Sequence, residues 1–399
     1  MSERTSERTL LMIPGPIELD PEVLRAMARP QLGHMDPEVA RAFGRVLTRA
    51  REVFLAPSAQ PFVIAGSGTL AMELAVANIV DPGERAVVVS TGYFGDRMRA
   101  ILERLGARVE EVRAPLGEVP ELAAVERALA AQPTKLCAVT HVDTSTGVRA
   151  PVEAVARLAQ AHGALMVVDG VCAVGGEELR QDAWGVDVCL TASQKALGAP
   201  PGLALVMAGP RALAARRAKK VPAASLYLDF LEWLPIMEGY ERGAPQYFAT
   251  PPVNIVLALD VALGQLLGEG VEARFARHGR MAAAFRAGCR ALGLALLPAR
   301  DAIAASTLSA VYYPAGVDAS LVGRVRAEGI AIAGGLHPEA KAKYFRVGHM
   351  GAMQASDVLA VVGALERALA GGGHATSLGA GLAAAQAVLA APPAATTSR

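Results

Sequence analysis

Short apolar runs rich in β-branched residues punctuate the first half of the chain, at Pro61 to Ala65, Ala86 to Ser90, Leu136 to Thr140, Leu165 to Val168, Val186 to Leu190 and Leu203 to Ala208. Runs apolar on consecutive positions, rather than on alternate ones, are strands covered on both faces. Between several of them lie segments such as Leu70 to Val80 and Met98 to Leu105, whose apolar residues recur three or four apart as on one face of a helix. Strands alternating with helices imply an α/β fold with a mostly parallel, helix-covered sheet. Such sheets bind ligands beyond the carboxyl ends of their strands, so functional residues should stand just after those runs.

From about Gly268 the texture changes to a long Ala/Arg-rich helical stretch, a strand candidate at Leu308 to Tyr313, a helix, two further strand candidates at Ile330 to Gly334 and Tyr344 to Val347, and a last helix. That pattern suits a smaller C-terminal α+β domain. The chain of 399 residues exceeds one simple domain. We divide it into an N-terminal arm (1–20), a large domain (21–267), a small domain (268–372) and a low-complexity Ala/Gly-rich tail (373–399). Hydrophobic residues make up 52% and charged residues 19%, a balance that favours an oligomer hiding part of its outside. A net charge of +1 with scattered arginines gives no field for nucleic acid.

Cys137, Cys172, Cys189 and Cys289 show no CxxC spacing, which points to a reducing cytoplasm and no structural metal. The N-terminus is polar, with the repeat SERTSERT, and its apolar run Leu10 to Ile13 is cut by Pro14, so no signal peptide is expected. The Ala-rich tail falls short of a membrane span of ~20 strongly apolar residues and reads as a loose or helical appendage.

Three elements carry chemistry. Ser67-Gly68-Thr69, within Ala65 to Thr69, follows a strand and opens a helix, where unpaired N–H groups and close backbone approach suit a phosphate. The stretch also matches a loose GxGxxA dinucleotide fingerprint, but Val87 to Thr91 lacks the acid such a site needs; a structural turn is the plainer alternative. Asp169 ends the run Leu165 to Val168, and a carboxylate at the dry end of a sheet requires a cation or hydrogen-bond donors. A protonated pyridine would serve, as would a cap or an arginine. Lys195, in Ser193-Gln194-Lys195, is one of only six lysines and the one at a strand end among small apolar neighbours. Burial disfavours the ammonium and favours the neutral amine of a Schiff base. Together these elements are the constellation of pyridoxal 5'-phosphate chemistry: phosphate cradle, acid at the ring nitrogen, and imine-forming lysine.

With these residues in view, the chain resembles class V of the fold-type I aminotransferases from about Leu10 to Leu369, and within that class the alanine:glyoxylate aminotransferases, especially the fungal form. The resemblance is carried by IPGPIE, AGSGTL, THVDTSTGV, LTASQKALGAP, YFATPPV and RVGHMG. It implies the fold-type I pyridoxal phosphate transferase fold, with a sheet of the seven-stranded type. It also implies ping-pong transfer from alanine to glyoxylate through pyridoxamine phosphate, giving pyruvate and glycine. By the same resemblance Ser67, Gly68, Thr69 and Gln194 hold the phosphate, Phe94 stacks on the ring, Val171 packs beneath it, Asp169 pairs with its nitrogen, and Ser145 bonds near ring and substrate. Tyr247 and Thr250 reach the phosphate of the other subunit of a homodimer. Arg346 clamps the substrate carboxylate, and Gly15 brings the N-terminal segment over the substrate, leaving room only for small side chains.

Serine:glyoxylate, serine:pyruvate and 2-aminoethylphosphonate:pyruvate transfer share this machinery and are the nearest rivals. Cysteine desulfurase needs a cysteine on a mobile loop, and none of the four stands in one. A catalytically silent pyridoxal phosphate binder is the non-enzyme rival. His34, His141 and His349 invite catalytic roles but are read as packed, hydrogen-bonded residues, and they assemble no metal site.

Overall fold

The computed structural model describes residues 9–223 and 225–392; the SERTSERT repeat before Thr9 and the last seven residues of the tail lie outside the described residues. At its centre are β1 (Gln60–Ala65), β2 (Arg85–Ser90), β3 (Arg108–Arg113), β4 (Leu136–Thr140), β5 (Leu165–Asp169), β6 (Val188–Ala192) and β7 (Leu203–Ala208). They form one seven-stranded sheet in the order β1-β7-β6-β5-β4-β2-β3. The pairs β2–β3, β2–β4, β4–β5 and β5–β6 are parallel, while β7 runs antiparallel to both β1 and β6. The reversal has a simple cause: residues 193–202 between β6 and β7 contain no crossover helix, and a parallel partner requires one.

The central strands β2, β4, β5, β6 and β7 are buried along their whole length, as their unbroken apolar character requires. β3 was not among the apolar runs because it is the sheet edge. Its sequence, RVEEVR, leaves Arg108, Glu110 and Arg113 exposed, charges that blunt an open edge. The expected strand Val186 to Leu190 lies two residues later, at Val188–Ala192. Gly185 turns the chain at φ +69°, and the Asp187 carboxylate accepts from Met166 N at 2.8 Å, so the ladder begins only afterwards.

A second buried cluster, with Phe285, Phe345, Val347, Val361 and Leu365 among its members, lies in the C-terminal part. Its sheet is antiparallel, with β8 (Leu308–Tyr312) and β9 (Ala333–Gly334) on either side of β10 (Tyr344–Gly348). The expected strand Ile330 to Gly334 is two pieces, because Ile330–Ala331 pairs instead with Leu10–Leu11. The N-terminal segment thus joins the C-terminal core, with Met12 buried in it, and leaves that core directly into Pro14-Gly15.

The two cores are bridged by α3 (Val253–Glu269) and α4 (Val271–Ala291), which meet at an 86° bend. Gly270 makes that bend at φ +88°, a conformation side chains disfavour. Arg274, one turn into α4, donates to Ala196 O at 2.9 Å and Gly175 O at 3.2 Å, fastening the bridge to the segments that follow β6 and β5. Among the described residues no single helix is long and apolar enough to cross a membrane.

The expected low-complexity tail contains a helix, Ala380–Ala390, packed on α4 and on the preceding helix Ala355–Gly371. Glu366, 3% exposed, organises its start, accepting from the backbone N–H groups of Gly379 (2.9 Å), Gly381 (2.7 Å) and Leu382 (3.0 Å). Replacing Glu366 by Ala should leave those donors unpaired and cost about 2 kcal/mol in denaturant unfolding. Limited proteolysis should then cut near the tail helix; an unchanged midpoint and cleavage pattern would contradict this account of the tail.

Candidate active site

Every strand sharing the common direction in the middle of the sheet delivers residues to one pocket of about 570 Å³ empty volume, within the range of small-ligand sites. Ser67, Gly68 and Thr69 come after β1, Phe94 and Arg97 after β2, Thr144 after β4, Asp169, Val171 and Cys172 at the end of β5, and Gln194 and Lys195 after β6. The pocket therefore occupies the carboxyl edge of the sheet, where strand geometry concentrates loops and helix starts.

Lys195 is 9% exposed, and its Nζ donates to Pro14 O. Gly15, at φ +107°, crosses directly above it; a Cβ there would lie 2.7 Å from both Lys195 Cδ and Nζ. Only glycine lets the backbone pass so close to the amine. Gln194 Oε1, on the same wall, is buried and without a hydrogen-bond partner.

Asp169 is 2% exposed. Its Oδ1 accepts from Val171 N at 3.0 Å and its Oδ2 from Thr140 Oγ1 at 3.2 Å, yet no cation stands in ion-pair range among the described residues. Burial pushes its carboxyl from the ordinary 3.8 up to about 6, and the nearby Asp143 charge pushes in the same direction.

Phe94 sits in the first turn of the helix Tyr93–Arg104. The fully buried Asp143 sets that turn: Oδ2 accepts from Phe94 N at 2.9 Å and Gly95 N at 3.3 Å, while Oδ1 accepts from Ser145 N at 2.9 Å and Ser145 Oγ at 2.5 Å. A carboxylate at a helix N-terminus satisfies unpaired donors and complements the dipole. The Ser145 hydroxyl donates to Asp143 and accepts from Tyr93 N (3.0 Å), while its neighbour Thr144 lines the pocket.

Arg346, on β10, reaches across from the C-terminal core. Its Nε donates to Gly334 O at 2.8 Å and its Nη1 to Thr144 O at 3.2 Å, with no ion pair among the described residues. Burial lowers its pKa below the ordinary guanidinium value. Two residues earlier, the Tyr344 hydroxyl accepts from Leu336 N and His337 N, both at 2.9 Å, and donates to Ser145 O, so strand and pocket loop are locked together.

Tyr247 and Thr250 are not brought into this pocket. Tyr247 is 63% exposed, 3.5 Å from the Thr250 hydroxyl, with the His34 ring tilted against it at 5.2 Å. His141 and His349 are buried, and desolvation lowers each to about 3, so both rings are neutral near pH 7. Asp143, Tyr344 and Arg97 escaped the sequence reading. Asp143 lies inside THVDTSTGV, and Arg97 follows Phe94 by one helical turn, but neither spacing announces a role.

These residues fit the cofactor that the resemblance implies. A buried carboxylate with hydrogen bonds but no cation suits a protonated ring nitrogen, and an orphaned amide oxygen beside the lysine marks a position meant for a ligand. With folded pKa above unfolded pKa, Asp169 makes the cofactor-free protein less stable as pH rises from about 4 to 6, by up to about 3 kcal/mol. Asp169→Asn should therefore make the cofactor-free protein more stable than wild type above pH 6 and no more stable below pH 4, and the order should reverse with cofactor bound. Thermal unfolding across pH, with and without cofactor, checks this; a pH-independent difference would refute it.

Comparison with known proteins agrees with the geometry. The family described as Aminotransferase class-V matches residues 22–361. Alanine–glyoxylate aminotransferase 1 of Saccharomyces cerevisiae is 39% identical over 356 residues, which are 86% of this chain and 91% of the yeast protein. The crystal structure of pyridoxamine–pyruvate aminotransferase from Mesorhizobium loti superposes with a TM-score of 0.90 at 32% identity, covering 96% of this chain and 97% of that one. Ureidoglycine–glyoxylate aminotransferase from Bacillus subtilis does so with 0.89 at 30% identity, covering 97% and 100%. Family match, fold and pocket thus agree, and the chain belongs to the class V aminotransferases, which work with pyridoxal phosphate.

Proposed function

We propose that the chain transfers the amino group of alanine to glyoxylate, giving pyruvate and glycine in two half-reactions at one site. The observation that carries this reading is the passage of Pro14-Gly15 directly across Lys195, which sets main chain rather than open space against the amine and so favours a small donor. The yeast relative's alanine and glyoxylate support the same choice. Serine is the second reading for the donor, favoured by Thr144 on the pocket wall, whose hydroxyl donates to Cys172 Sγ at 2.9 Å and keeps acceptor capacity for a substrate hydroxyl.

When bound, pyridoxal phosphate supplies an aldehyde that carries the amino group and a ring that withdraws electrons from the carbon losing its proton. Ser67, Gly68, Thr69 and Gln194 would hold its phosphate, Phe94 and Val171 would enclose its ring, and Asp169 would keep the ring nitrogen protonated. Lys195 Nζ moves the proton at the substrate Cα, an amine held within reach of Pro14 O by the overlying arm. Arg346 would orient the substrate through its carboxylate; its two main-chain contacts hold the guanidinium next to Thr144 on the pocket wall and leave further N–H donors for a ligand. Closure of the arm above Lys195 excludes water from the proton's path.

Exposed Tyr247 and Thr250 would complete the phosphate site of a second copy, making the homodimer the working unit. Exposed Leu24, Met27 and Leu226 support a face that is covered in the assembly. Four free, buried thiols fit a reducing, cytoplasmic setting.

Steady-state rates over a panel of donors and acceptors test the assignment: alanine with glyoxylate should give the highest kcat/KM, and preference for 2-aminoethylphosphonate or a bulky donor would overturn it. Lys195→Ala should abolish turnover with the fold intact by circular dichroism. Arg346→Ala should raise KM for alanine roughly 10- to 100-fold, the loss of a charge-assisted pair, with a smaller change in kcat. Equal loss in kcat alone would remove Arg346 from ground-state binding.

A further inference from the structure

We propose that Arg97 is a direct ligand of the cofactor's phosphate. The inference rests on the reading of Ser67 to Thr69 as the phosphate cradle and extends it to a residue from a different strand end.

Arg97 is half-buried, and outside the pocket other arginines drawn partly or wholly from solvent are neutralised by carboxylates: half-buried Arg277 by Glu269 at 2.5 Å, and buried Arg216 by Asp229 at 2.5 Å and Arg274 by Glu269 at 2.9 Å. Arg97 lines the pocket and has only neutral partners. Its Nη1 donates to Thr69 Oγ1 at 2.8 Å and its Nη2 to Tyr93 OH at 3.2 Å, and its central carbon lies 4.9 Å from the Phe94 ring centre and 5.1 Å from that of Tyr93. No carboxylate stands in ion-pair range among the described residues. The hydroxyl it holds belongs to the first turn of the helix Gly68–Ala77, and Ser67, at the cap position, makes no side-chain capping bond. A guanidinium and a helix's positive end therefore meet at one place with no protein anion between them. Two like potentials side by side are unfavourable unless a ligand supplies the negative charge.

The shape of the group agrees. A guanidinium has five donors in a plane, and hydroxyl contacts on two of its nitrogens leave others for a second acceptor. Paired N–H groups match two oxygens of a phosphate. Arg97 also stands one turn after Phe94 on the same helix face. A single turn thus presents the aromatic face for the ring and the charge for the group at the ring's far end. Arg346, likewise without an ion pair among the described residues, donates from β10 to Thr144 O and not toward Thr69, so the two arginines are placed for two different anions.

The test uses the full-length chain stripped of cofactor, titrated by intrinsic fluorescence with pyridoxal phosphate and with pyridoxal, which lacks the phosphate. Wild type should strongly prefer the phosphorylated form. Arg97→Gln should cut that preference roughly 10- to 100-fold while changing pyridoxal affinity less than about threefold, and Arg97→Lys should restore part of it. Equal weakening toward both compounds would mean that Arg97 only supports Phe94, and would overturn the proposal. An unchanged preference together with a raised KM for aspartate would assign the guanidinium to a substrate's second carboxylate and overturn it likewise. If wild type itself shows no preference, the cradle reading fails independently of Arg97. Should Arg97→Gln lose its circular dichroism signature, Arg97→Lys alone decides: a wild-type preference in that variant would deny a role to the planar fork.

Discussion

A carboxylate buried at the end of a strand, hydrogen-bonded but with no cation in ion-pair range among the described residues, is the constraint around which this site is organised. Asp169 has Val171 N and Thr140 Oγ1 for company and no positive side chain in ion-pair range among the described residues. Uncompensated burial of such a group is expensive, and its carboxyl is pushed up to about 6 as a result. On the proposed reading, the cofactor's ring nitrogen supplies the compensating charge. Arg97, lining the pocket, and Arg346, bonded to its wall at Thr144 O, show the opposite sign of the same design: guanidinium groups held by neutral oxygens with no ion pair among the described residues. In the proposed function these electrostatic deficits are what substrate and cofactor would fill, which would make binding and correct charge placement one event.

The deficits persist because the scaffold around them is stiff. Asp143 accepts four hydrogen bonds and so ties the start of the Phe94 helix to the Ser145 loop. Tyr344 carries that loop to the C-terminal core, and Arg274 carries the bridging helix to the backbone beside Lys195. His278 adds a neutral strut, its ring accepting from Gly351 N at 3.0 Å. The N-terminal segment closes the circuit, pairing with Ile330–Ala331 before it passes over the lysine. Residues far apart in the chain thereby hold one another within hydrogen-bond tolerance, as preorganised chemistry requires.

Much of this was legible before any coordinates. Strands covered on both faces leave an unbroken apolar signature, so β1, β2, β4, β5 and β7 were found within about a residue, and the strand-end positions of Asp169 and Lys195 followed from them. β3 was not found, because an edge strand has the alternating, charged composition of a surface segment. Ser145 was assigned to ring and substrate because its motif is shared with known enzymes. Its hydroxyl also donates to Asp143, a contact between neighbours that a motif does not express.

The amino-acid sequence by itself determined the class of fold, the carboxyl edge of the sheet as the place of chemistry, and the kind of chemistry, since all three depend on local periodicity and on which residue types end the strands. Tertiary structure alone decided which charges are left unmatched, that Gly15 rather than a side chain covers Lys195, and that Arg97 shares the pocket with Thr69. Those facts depend on distances between segments remote in the chain, and no local pattern encodes a distance.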